Sequence, residues 1–249
     1  TPKGLWLRVP PKIISAYTYR LTAMIVQYFF SFDDGLDLNY DVHVNRRFSI
    51  HADYSNAPEW TKLTNNQCKN CPLDKKVYSH CPAALDLDKV IQDLQKISAL
   101  TKVNVRVLTA EREYVKRVTL EEGVRGLMGL IMATSACPVF CDLKPNARTH
   151  LPFANREESI LRLASVYLMK QYFVWREGGT PDWELRGLIK EHAELQLVNH
   201  AFWQRVMAAF NSDSNSKALL SFFTVSASIS TSLDSQLAKM KNVFFTSVE

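Results

Sequence analysis

The feature that most limits how this chain can fold is the placement of its five cysteines. Three fall within Gln67-Cys68-Lys69-Asn70-Cys71-Pro72 and His80-Cys81-Pro82, while Cys137 and Cys141 stand far downstream. A Cys-x2-Cys-x9-Cys run completed by a remote thiolate is the ligand pattern of a tetrahedral metal site or an iron–sulfur cluster, because one short loop cannot fill four corners. Cys68, Cys71, Cys81 and Cys137 are therefore the expected ligands, with Cys141 and His80 as alternates for one position. Proline follows Cys71, Cys81 and Cys137, which fixes the backbone there and removes one N–H. Zinc and [4Fe–4S] both accept four thiolates at these spacings. The regular ferredoxin run and any companion redox motif are missing, which favours structural Zn2+, with a [4Fe-4S] cluster as the alternative. Odd cysteine count and paired spacing suit metal better than disulfides, so a reducing cytoplasm is expected.

The chain has 249 residues, 47% of them hydrophobic, enough to bury a sizeable core. A net charge of +5 and 22% charged residues make it mildly basic, short of a dedicated nucleic-acid binder. Part of that excess is local: Lys3, Arg8, Lys12 and Arg20 precede every acidic residue. No apolar run reaches the roughly 18 residues a membrane span needs; Leu21 to Phe32 is broken by Thr22, Gln27 and Ser31.

Period-two alternation from Ile14 to Val44, turning at Asp33-Asp34-Gly35, predicts a β-hairpin. Asn45 to Asn66 reads as a loop packed by its aromatic residues. Leu87, Val90, Ile91, Leu94 and Ile97 predict a helix capped by Asp86 or Asp88. Val103, Val105 and Val107 open a second hairpin, and Thr119 with Glu122 begins an apolar helix. Its Gly126 and Gly129 suggest close approach of another backbone. Asn155 and Glu158 start the next helix, Gly178-Gly179 ends it, and Thr180-Pro181 opens a last long helix to Phe210, antiparallel to its predecessor. Leu233 to Phe244 is also helical in pattern, and periodicity leaves Phe222 to Ser232 as strand or helix.

The expected architecture is one compact α+β domain over 1–249. It divides into a sheet and loop (14–66), a cysteine loop (67–85), a mixed core (86–154) and a mainly helical part (155–249).

Arg148-Thr149-His150 sets a cation beside an imidazole in a proline-bounded segment, a candidate site for an anionic ligand or proton transfer. His192 and His200 fall eight residues apart, about 80° around one helix, and make poor joint ligands. No Gly-x-Ser-x-Gly elbow or His-Glu-x-x-His helix exists. The expectation is a non-catalytic interaction or regulatory protein, stapled by its cysteine site and binding a protein partner or a second copy through its helical surface. An iron–sulfur redox or redox-sensing protein is the alternative. Weak nucleic-acid binding through the basic N-terminal arm is the third reading.

Overall fold

Alternation sends Val26, Tyr28, Phe30 and Phe32 to the buried face of β1 (Ile25–Phe32). In the computed structural model, which describes residues 24–45, 54, 56–209 and 233–245, β1 turns back into β2 (Asp37–His43). Gly35 makes that turn at a φ of 87°, a left-handed value that strains any residue with a Cβ. A second hairpin, β3 (Lys102–Leu108) and β4 (Glu113–Thr119), joins the other edge of β1. The sheet order is β2-β1-β3-β4, antiparallel throughout. Phe30 faces Leu38 on one side and Val105 on the other, so the apolar rows of neighbouring strands coincide.

Two helices bury that face. α1 (Pro82–Leu94) contributes Leu87, Val90, Ile91 and Leu94, and α2 (Leu120–Thr134) contributes Val124, Leu127 and Met128. α1 starts earlier than the aspartates suggest: Cys81 is its N-cap, and Pro82 takes the first helical position, where its missing N–H costs nothing. Asp88 instead accepts a hydrogen bond from Trp60 Nε1 at 2.7 Å, anchoring the 3-10 turn Glu59–Thr61. Thr119 caps α2, accepting from the Glu122 N–H.

The α2 glycines accommodate sheet side chains rather than another backbone. A Cβ at Gly126 would stand 2.7 Å from the Tyr28 hydroxyl, and one at Gly123 would stand 2.9 Å from Val105. Gly129 lines a cavity described below.

Past Cys137, a 3-10 helix (Pro138–Leu143) leads into α3 (Lys144–Arg148). α4 (Arg156–Arg176) has the expected reciprocal capping box of Asn155 and Glu158. α5 (Arg186–Ala209) begins later than Pro181. The Asp182 carboxylate accepts from the Gly187 N–H at 2.7 Å and the Tyr167 hydroxyl at 2.9 Å, and Leu185 has a φ of 60°, so 181–185 form a turn. α6 is Leu233–Phe244.

Nor are α4 and α5 a simple antiparallel pair. Leu195, Val198, Phe202 and Val206 of α5 join the main core, whereas Ile160, Ala164 and Tyr167 of α4 meet Leu188 and Met240 in a separate cluster. The result is an α+β fold with its sheet in the N-terminal half. The alternation before Met24, the basic arm and the segment 210–232 lie outside the described residues. Among the described residues, no single helix is long and apolar enough to cross a membrane.

Gly126→Ala is expected to destabilise the protein by about 1–2 kcal/mol, since overpacking costs about 1–3 kcal/mol against a propensity gain of up to about 1 kcal/mol. In a Tyr28→Phe background most of that loss should vanish. Equal losses in both backgrounds in guanidinium melts would refute the clash.

Candidate metal centre and adjoining cavities

Separate segments bring four thiols together. The Cys68–Cys71 turn closes through the Cys71 N–H, which donates to the Cys68 carbonyl at 3.0 Å. Cys81 donates its N–H to the Thr61 carbonyl at 2.8 Å and sits at the head of α1. Cys137 heads the 3-10 helix Pro138–Leu143, with its N–H held by Ser135 Oγ at 3.2 Å. Cys68 lies within electrostatic reach of Cys81, Cys137 and Cys71, and Cys137 within reach of Cys81 and Cys71. The residues singled out by spacing are thus gathered in one place.

Burial, then mutual repulsion of the thiolates, pushes the thiols of Cys68 and Cys137 up to about 12. Burial also raises Cys81, opposed by the Arg205 charge and by the nearby backbone amides of Ala84 and Ala83. Val139 and Phe140 do the same for Cys137. Amides at a helix start aimed at sulfur favour the thiolate, the form that binds metal. Among the described residues, no group of three or more His, Cys, Asp or Glu side chains is placed to hold a metal ion as it stands. The quartet is therefore gathered without being drawn into the tight shell of a single ion.

Neither alternate joins it. Cys141 is exposed, and the charges that act on it are Asp142, Lys144 and Lys170 rather than other cysteines. His80 contacts Ser79 Oγ through Nδ1 at 2.8 Å and packs on the Tyr54 ring.

Arg205, which the pattern reading missed, completes the centre. It is 1% exposed, and its Nη1 donates to the carbonyls of Trp60 at 3.1 Å and Lys62 at 2.6 Å. Its Nε has no hydrogen-bond partner, and no carboxylate pairs with it among the described residues. The ionisable groups that act on it are Cys81, Cys68 and Cys71. A buried cation without counter-charge is costly, so anionic sulfur there is worth more than at the surface. The signal was an arginine on the same α5 face as Leu195, Val198 and Phe202. Asn70 ties the cysteine loop to α5, donating to the Glu194 carbonyl at 3.0 Å and carboxylate at 2.7 Å.

Two cavities adjoin this junction and share Leu143, Asn146, Leu163, His192 and Leu195 in their walls. The larger, about 710 Å³, reaches Pro72 and Pro138 beside the cysteines. Arg148 lines it and is exposed. His150 lines the other, about 450 Å³, so two candidate ligand residues that stand close in sequence face different spaces. His150 Nε2 lies 2.6 Å from the Tyr28 hydroxyl. Burial, then the Arg162 charge, lowers His150 to about 3, so the imidazole is neutral and Nε2 accepts from Tyr28.

As pH falls from about 6.5 towards 3, the unfolded chain takes up a proton that folded His150 refuses, and stability falls with it. The slope from this group approaches about 1.4 kcal/mol per pH unit. His150→Gln should flatten the stability profile between about pH 6 and pH 5; parallel profiles for the two proteins would contradict the assignment.

No curated protein and no solved structure matches the chain. A family profile does, over residues 26–245, spanning the sheet, the cysteine quartet, both cavities and Arg205: the chain belongs to the family described as a domain of unknown function, DUF6901.

Proposed function

We propose that the chain is a redox or redox-sensing protein in which Cys68, Cys71, Cys81 and Cys137 ligate a [4Fe–4S] cluster where the sheet meets the helices. The observation that carries this reading is four thiols gathered from separate segments beside Arg205, a buried guanidinium without a carboxylate. Four thiolates overbalance a divalent core, so the loaded centre is anionic, and Arg205 offsets part of that charge. Four thiolates accept a [4Fe–4S] core as they accept one zinc ion. The backbone amides near Cys81 and Cys137, together with burial, are the groups that would tune a cluster's potential.

The second reading is structural Zn2+ in a non-catalytic interaction protein. Exposed Met169, Tyr172, Phe173 and Trp175 on α4 favour it, as a surface for a protein partner or a second copy.

Metal analysis and a visible spectrum on protein purified without oxygen separate the two. Several irons per chain with broad, reducible absorbance support the cluster; zinc without colour transfers the centre to the second reading. Cys71→Ser is expected to abolish metal binding and lower the melting temperature, while Cys141→Ser changes neither. A Cys71→Ser protein that keeps both its metal and its melting temperature would sink the four-thiolate centre.

A further inference from the structure

The 450 Å³ cavity between α2, α3, α4 and α5 has an apolar wall and an unspent cation. Leu130, Ala133, Phe140, Leu143, Leu151 and Leu195 are among its apolar lining. Of the charged groups that line it, Lys116 pairs with Glu122 at 2.7 Å, and Arg125 reaches the Glu121 carboxylate at 3.4 Å. Arg162 has no such partner. Its Nη1 donates to the carbonyls of Asn146 and Thr149, both at 3.1 Å, which clamps the side chain in place. Nε has no partner and is itself closed off from solvent, and neither of these bonds uses Nη2. Nη2 is left to give a charge-assisted hydrogen bond, the kind that holds a carboxylate. It also projects from an early turn of α4, where the helix dipole is positive.

We infer that this cavity binds an organic monoanion, a carboxylate on an apolar body, with Arg162 holding the carboxylate and the leucine-rich wall enclosing the body. The volume lies within the range of small-molecule sites, and an apolar wall with one fixed polar anchor is their usual construction. Neutral His150, held by Tyr28, adds no competing charge to the wall. The inference does not rest on the cysteine centre, since none of the four cysteines lines this cavity.

The test is calorimetric titration of the full chain, with its metal content as purified, using octanoate, phenylacetate, octanol and octylamine. One or both acids should bind and raise the melting temperature, whichever body fits better, while the alcohol binds at least about tenfold more weakly and the amine not at all. Arg162→Met should weaken acid binding by about tenfold or more. Should that variant fail to fold, Ala133→Leu narrows the cavity from α2 without touching the guanidinium, and it too should weaken the acids. Absence of acid binding at millimolar concentration, octanol matching octanoate, or undiminished binding to a folded Arg162→Met or Ala133→Leu protein would each overturn the proposal.

Discussion

The interaction on which the junction depends is the placement of the Arg205 guanidinium. It reaches the backbone carbonyls of Trp60 and Lys62 from α5, across most of the chain length, and so fixes the segment that leads into the cysteine loop. The same segment holds Cys81 through the Thr61 carbonyl. Remove the cation and three carbonyls of the 60–66 stretch lose a donor, because Asn66 also accepts from it at 3.5 Å, while Trp60 and Lys62 keep only their bonds from Asn65. A single charge therefore organises both the scaffold of the thiols and their electrostatics, which explains why a long ionic side chain occupies the apolar face of α5.

A second line of coupling runs from the sheet to the cavity. Gly126 leaves room in α2 for the Tyr28 hydroxyl, which passes through to His150 beyond the helix. An alanine there would press on the polar contact that β1 makes with the cavity wall. Arg162 acts on the same pair, since its charge disfavours protonated His150. Tyr28, His150 and Arg162 thus form a short polar spine through an otherwise apolar region, and each member sets the state of the next.

What could be read in advance was local. The Asp33-Asp34-Gly35 turn, the valine alternation of β3 and the capping pairs Thr119/Glu122 and Asn155/Glu158 all follow from side chains acting on backbone within a few residues. Cysteine spacing likewise pointed to residues that the fold brings into electrostatic reach of one another. What escaped was set by distant partners. Arg205 looks like one more helical cation until its carbonyls, some 140 residues earlier in the chain, are seen. The late start of α5 depends on Asp182 meeting Tyr167 from α4. Arg148 and His150, neighbours in sequence, are parted by the end of α3, which turns them towards separate cavities.

The sheet order has a consequence for how the fold assembles. Each hairpin closes locally, but β1 pairs with β3 only after residues 44–101, the entire cysteine-bearing connection, have been drawn into a loop. Closing a loop of that length is an entropic cost that precedes the reward of β1–β3 contacts, and it slows folding. Whatever orders the connection early shortens the effective loop. Assembly of the central sheet is then timed by a segment that contributes no strand to it.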